Sequence, residues 1–304
     1  MAIAEHQELK GSTSGRERQK TLPPEELAKA VSDTLVVFNG YDKDALSSLS
    51  QYEFHFIHGW NEPKELGYQG GIKPALEQSG AENVGLHELS GQADRGPSYP
   101  QYEQDLNMLR RILDASQKPV ILTGHSLGGR LLVNALRDEN GLSTEQRDKI
   151  AGIVLVSPAI LDPKWIPNKW SDKLPAVANP LVDLMFHQRR VRRDGHAESY
   201  YEGKNPDYDR LAAGVGDIPL VILQASQEGE DTAVPRFTVE RFGKALGASE
   251  VKLTEIATMQ GSRGIVWVDG GVGHIKDPKE TPLVGEAVLG MARRLQTQAQ
   301  GKAA

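Results

Sequence analysis

Residues 119–136 read Pro-Val-Ile-Leu-Thr-Gly-His-Ser-Leu-Gly-Gly-Arg-Leu-Leu-Val-Asn-Ala-Leu, and their reading decides the fold. Residues 120–123 form a short apolar, β-branched run, the pattern of a buried strand. Residues 131–136 hold neither Gly nor Pro and continue as a helix. Between them lies Gly124-His125-Ser126-Leu127-Gly128, a G-x-S-x-G turn that presents Ser126 at a strand–helix junction. Gly124 and Gly128 are expected to let the two backbones approach closely while the serine takes a strained conformation. Such a turn exposes the Ser126 hydroxyl. It also aims the backbone N–H of Leu127, at the helix N-terminus, toward any oxyanion that develops there. In a chain with 31 glycines the pentapeptide alone is a weak signal, so the strand before it and the helix after it carry the weight.

Working outward, strand patterns are read at residues 34–38, 53–57, 83–89, 150–156 and 218–224. Helical stretches fall near 62–79 and 235–246. Two more show one apolar face: Tyr102, Leu106, Leu109, Ile112 and Leu113 in the first, and Val284, Ala287, Val288, Met291 and Leu295 near 282–297. Short apolar strands alternating with helices predict an α/β fold with a mostly parallel central sheet flanked by helices. Residues 161–216 break the alternation with Pro163, Pro167 and Pro175, two tryptophans (Trp165 and Trp170) and an apolar cluster at 181–186. A stretch that long without strands is too large for a plain loop and reads as an inserted helical cap. The expected organisation is a tail and lead-in over 1–33, a core over 34–160 and 217–304, and a cap over 161–216. Residues 6–24 are polar and read as a disordered tail.

Composition narrows the function classes. With 38% hydrophobic and 25% charged residues, the 304-residue chain has room for one large domain with an insertion. A net charge of −6 argues against nucleic acid as the main partner. The absence of cysteine excludes a disulfide framework, thiol catalysis and cysteine-ligated zinc. No apolar run approaches bilayer length and no secretory signal pattern is read at the N-terminus, so a cytoplasmic protein is the default expectation.

The chain resembles the α/β-hydrolase superfamily of serine hydrolases over roughly residues 34–297. The resemblance rests on Phe54-His55-Phe56-Ile57-His58-Gly59-Trp60, similar to the family's strand ending in a His-Gly oxyanion loop, and on residues 86–98, similar to the loop after the next strand. It rests also on Gly124-His125-Ser126-Leu127-Gly128-Gly129, similar to the nucleophile turn. Asp231-Thr232-Ala233-Val234-Pro235 looks like the family's acid loop, and Gly271-Val272-Gly273-His274 resembles the loop that delivers the base. The order Ser, Asp, His is the one this fold uses.

The resemblance implies a catalytic triad of Ser126, Asp231 and His274. A serine hydroxyl needs a neighbouring base to take its proton. His274 would do so, Asp231 would fix the imidazole tautomer and stabilise the imidazolium, and the backbone N–H groups of Trp60 and Leu127 would bind the oxyanion. Asp162, just after the 150–156 strand, is the alternative acid, because some relatives place it there. Asp231 and His274 lie farther apart than is usual for the family, and the strand before the histidine is either 251–256 or 265–268, the second being favoured. His125 and His58 occupy motif positions beside the reacting centre, whereas His55 and His87 sit on strands. Trp165 and Trp170 either line an acyl or alcohol pocket or pack the cap's own core. Residues 189–193, an arginine run, either attract an anionic substrate or form an exposed charged face.

The function so implied is hydrolysis of a small-molecule carboxylic ester through an acyl-serine intermediate, with no cofactor and no metal. A thioesterase, amidase, carbon–carbon hydrolase or perhydrolase shares the same residues. The rival from another class is a hydrolase-like ligand-binding protein that keeps the pocket without turnover.

Overall fold

The apolar run that precedes the serine turn becomes an inner strand of a seven-stranded sheet. The structure, a computed structural model, describes residues 23–41, 46–59, 68–90, 101–160, 207–227, 230–231, 234–270 and 272–303. Its strands are β1 (Glu53–Ile57), β2 (Asn83–His87), β3 (Val120–His125), β4 (Ile150–Val156), β5 (Leu220–Ala225), β6 (Ser249–Glu250) and β7 (Arg263–Val268). They lie in the order β2-β1-β3-β4-β5-β7-β6, and every pairing is parallel. Parallel neighbours need crossovers, which put helices on both faces and leave the inner strands dry on both sides.

Successive residues of those strands serve opposite cores. Val120, Leu122, Ile153, Leu155, Leu220 and Ile222 pack on one face with side chains from α3 (Tyr102–Ala115), α4 (Leu127–Arg137), α6 (Tyr208–Val215) and α7 (Arg236–Leu246). Ile121, Val154, Val156, Val221 and Leu223 pack on the other with α1 (Pro24–Asn39), α2 (Tyr68–Gln78) and α8 (Thr281–Ala303). Because side chains alternate across the pleat, a continuous apolar run fills both cores at once. A short α5 (Thr144–Asp148), opened by a capping box of Ser143 and Gln146, leads into β4.

Residues 34–38 are not the strand their β-branched sequence suggested; they close helix α1. Pro24 at the first turn, followed by Glu25 and Glu26, starts a helix upstream. Ala30, Thr34 and Phe38 then repeat every fourth residue on its buried side, leaving Val36 exposed. Helical periodicity over the whole segment overrides the local β propensity of its second half. The helix therefore starts inside the stretch read as lead-in, while residues 1–22 lie outside the described residues.

Of the two strand candidates before His274, residues 265–268 lie in β7. The earlier stretch is a 3-10 turn, Leu253–Thr258, that buries Ile256 beneath Gly290 of α8. Between Asp231 and His274 the chain thus runs through α7, the two-residue edge strand β6, this turn and β7. Residues 161–206 lie outside the described residues, and with them Asp162, Trp165, Trp170 and the arginine run. Residues 208–215, at the end of the stretch read as a cap, form α6. Its Leu211, Ala212 and Val215 pack into the sheet's core, as the crossover from β4 to β5 requires.

The chain order places the site. From β1 the sheet grows one way to β2 and the other way to β3, so the connections leave β1 and β3 in opposite directions. In an open parallel sheet such a reversal leaves a crevice at the carboxyl ends of the two strands, where ligands bind. Residue 58 and Ser126 follow those two ends. No helix among the described residues is long and apolar enough to cross a membrane.

Candidate active site

Ser126 sits between β3 and α4 with φ 50° and ψ −115°, a conformation that a residue bearing a Cβ rarely adopts. Its backbone is held on three sides. The Ser126 N–H donates to the Val156 carbonyl at 2.9 Å, and its own carbonyl accepts from Ala159 at 2.9 Å and from Arg130 at 3.2 Å. The glycines around it are required by close approach. A Cβ on Gly124 would lie 2.7 Å from the Cα of Gly129, and one on Gly128 would lie 2.6 Å from the His58 carbonyl oxygen. The first turn of α4 is therefore pressed against the end of β1. Leu127 is the first residue of that helix, where backbone N–H groups have no intrahelical acceptor.

Asp231 follows β5, and His274 lies in the loop between β7 and α8. The structure brings them together: His274 Nδ1 stands 3.0 Å and 3.1 Å from the two carboxylate oxygens of Asp231. A carboxylate only accepts, so Nδ1 is the donor, and in the neutral ring this leaves the lone pair on Nε2. Asp231 is buried, with its Oδ1 accepting from the Val234 N–H at 2.8 Å and its Oδ2 from the Gln224 amide at 3.1 Å. Burial pushes its carboxyl up. The hydrogen bond and charge of His274, joined by the Val234 and Gln224 donors, outweigh that and hold it below the ordinary carboxylate value.

His274 also rests against the residue before the serine. The fully buried His125 ring packs 4.7 Å from the His274 ring, centre to centre. Its Nε2 lies 2.9 Å from the His274 carbonyl oxygen, and a carbonyl can only accept, so His125 donates there. Ile275 comes next, buried, with φ 43°, an uncommon conformation for a β-branched residue. Non-glycine residues with positive φ thus stand at the proposed nucleophile and directly after the proposed base. Such strain persists only where the surrounding structure enforces it. The motif places His125 beside the reacting centre but does not give its bond to His274, and the sequence singles out neither Gln224 nor Ile275. The signal for Gln224 was available: an amide inside the apolar run of β5 cannot be buried without partners.

Of the other expected site residues, Trp60, Trp165 and Trp170 lie outside the described residues. His58, next to Trp60, is buried, and its N–H donates to the His87 carbonyl at 3.0 Å. His55 and His87 lie on β1 and β2 and hydrogen-bond each other at 2.9 Å. Among the described residues no three His, Asp or Glu side chains converge as a metal site.

Beneath the base loop lies a buried carboxyl, Glu280. One oxygen accepts from the Asp277 N–H at 2.8 Å, and the other has no partner among the described residues. Burial raises its pKa from the ordinary 4.5 to about 7, and the Asp277 charge adds to the rise, against the Asp277 N–H, Lys279 and His125. A raised carboxyl holds its proton more tightly in the folded than in the unfolded chain. Its contribution to stability is therefore full below about pH 4.5 and is lost as pH climbs through about 7. Glu280→Gln cannot ionise and is expected to gain melting temperature relative to wild type between pH 5 and pH 8. Calorimetric scans across that window check it, and parallel melting curves at every pH would contradict it.

Residues 54–182, which include the β1 loop and the serine turn, match the family described as serine hydrolase. That segment is therefore similar to serine hydrolases, and it lies in an α/β fold whose sheet is parallel throughout. The match ends before Asp231 and His274, so it covers the nucleophile half of the site. No curated protein matches the chain. Among solved structures the chain is similar to a putative YdeN-like hydrolase from Pectobacterium atrosepticum, at 14% identity and TM-score 0.46 over 84% of this chain and 98% of that one. It is also similar to a pyrethroid hydrolase from Sphingobium faniae, at 19% identity and TM-score 0.47 over 82% and 99%. A third is a monoacylglycerol lipase from Paleococcus ferrophilus, at 17% identity and TM-score 0.46 over 80% and 94%.

Proposed function

We propose that this hydrolase cleaves carboxylic esters through an acyl-serine intermediate, with Ser126 as nucleophile, His274 as general base and Asp231 as the acid that orients it. The observation that carries the reading is the seat of His274. Its Nδ1 is bonded to Asp231, and its ring lies against His125, the residue before the strained Ser126. Ser126 Oγ attacks the acyl carbon as its proton passes to His274 Nε2. The imidazolium is held by Asp231 and returns the proton to the departing alcohol, and a water repeats the sequence to release the acid. The oxyanion is bound by the Leu127 N–H and by that of Trp60, each donor contributing on the order of 3 kcal/mol. Every proton in this scheme is carried by the chain's own residues and the attacking water, so no cofactor is called for.

In the same reading residues 161–206 cover the crevice, and Trp165 and Trp170 contact the acyl chain. A series of p-nitrophenyl esters of increasing acyl length tests both parts. Turnover of the short esters is expected. Trp165→Ala and Trp170→Ala are expected to shift chain-length preference by roughly 10–200-fold, the scale of methylene-sized contacts, while sparing short-ester kcat. Hydrolysis confined to thioesters, amides or carbon–carbon bonds would replace the ester assignment, and ligand binding with no turnover of any of them would replace the enzyme mechanism.

A further inference from the structure

Gln224 is the one polar side chain in an otherwise apolar strand, and it is fully buried at the end of β5. Its Nε2 lies 3.1 Å from Asp231 Oδ2 and 3.1 Å from the Val234 carbonyl oxygen. Both groups only accept, so the amide nitrogen must face them and each of its two protons is committed. The amide oxygen, turned away, has no partner among the described residues. The side chain thus leaves its own acceptor unpaired to present both donors to the acid loop. Val234 N–H meanwhile donates to the other Asp231 oxygen at 2.8 Å, so carboxylate, residue 234 and Gln224 close into one ring of hydrogen bonds.

We propose that Gln224 is a positioning residue for the acid of the triad: its amide clamps the Asp231 carboxylate and the far end of its loop in the rotamer that meets His274 Nδ1. This rests on the triad reading above. Asp231 lies outside any strand or helix, between the end of β5 at Ala225 and the start of α7 at Arg236, and the Gln224 amide joins the Val234 N–H and His274 in holding its carboxylate. The ionisable groups around the clamp are Asp231 and His274 themselves, Glu230 on the same turn, and Arg236. Glu230 accepts from the Gln227 N–H at 3.2 Å. Arg236 donates to the Ser226 carbonyl and stacks 4.4 Å over Trp267, the strand partner of Gln224. None of these supplies a second donor pair bridging Asp231 and Val234 in the described structure.

Two substitutions separate positioning from packing. Gln224→Leu keeps an apolar core and removes both donors, and kcat on a short p-nitrophenyl ester is expected to fall by about 10–100-fold with KM little changed, as for a misplaced catalytic group. Gln224→Glu is nearly isosteric, and the charge of Asp231 beside its carboxyl raises the pH at which it ionises, so below that pH the pair holds one proton and keeps a donor. That variant is expected to recover most of the activity near pH 6 and to lose it in an alkaline limb that wild type lacks. Melting temperatures and Asp231→Asn are measured alongside, with rates referred to folded enzyme. If both Gln224 variants keep the wild-type pH profile and rate while Asp231→Asn is disabled, the Gln224 proposal alone is overturned. If Asp231→Asn is fully active, the triad reading falls and this proposal with it.

Discussion

Ser126→Ala is expected to lose about 10⁶-fold in kcat on ester substrates, the scale seen when a nucleophile is deleted from a serine triad. In the proposed mechanism the hydroxyl begins the reaction, and without it neither the acyl intermediate nor the proton transfer to His274 can occur. The fold is expected to survive. The turn is fixed by backbone hydrogen bonds to Val156, Ala159 and Arg130 and by the close approach of Gly128 to β1, and none of these uses the hydroxyl. Circular dichroism and melting should match wild type while turnover falls to background. Undiminished hydrolysis by a clean Ser126→Ala preparation would remove Ser126 from the chemistry.

Asp231→Asn carries the second largest effect, about 10⁴-fold in kcat. The structure gives the cause. The carboxylate accepts from His274 Nδ1 with both oxygens, and an amide at that position can offer its NH2 instead, selecting the imidazole tautomer whose Nε2 cannot take the serine proton. A charge effect acts in the same direction, since the imidazolium formed in the reaction loses its counterion. Stability changes too. Asp231 is held below the ordinary carboxylate value, so its contribution is present at neutral pH and is lost as pH falls through the lowered folded value. The variant should therefore be less acid-sensitive than wild type in its melting, even while it is slower at every pH. An Asp231→Asn enzyme within ten-fold of wild type would send the search for the acid to Asp162.

The sheet and the nucleophile turn were legible because their signals are local and physically over-determined. Strands buried on both faces must be continuous apolar runs, and residues 120–123, 150–156 and 220–223 could be little else. The glycines at 124 and 128 are dictated by contacts shorter than any side chain allows. Residues 34–38 misled because Thr34, Val36, Val37 and Phe38, β-branched or aromatic, look like a strand in isolation. Only the four-residue repeat through Ala30, Thr34 and Phe38 shows the helix. The long spacing from Asp231 to His274 was visible, but not all that fills it: a two-residue edge strand and a 3-10 turn packed under α8 have no period to read.

The candidate site divides in the same way. Ser126, Asp231 and His274 were named by their motifs, and the pairing of Asp231 with His274 is a contact between residues that only the fold brings together. The supporting contacts were not assigned, although two of the residues left traces. Gln224 interrupts an apolar strand, and His125 is buried in the turn itself, each a polar group that burial penalises unless it is bonded. The strain at Ile275 left none, since nothing in the side chain announces a positive φ.

The most direct test of the whole account is covalent labelling with a fluorophosphonate, followed by peptide mass spectrometry of the wild-type enzyme. Such a reagent captures only a serine whose hydroxyl is activated by a neighbouring base. The account predicts a single stoichiometric adduct on the peptide that contains Ser126, blocking ester turnover in proportion to labelling and absent from Ser126→Ala. An adduct on another residue, or full ester turnover by an enzyme that takes up no label, would contradict it.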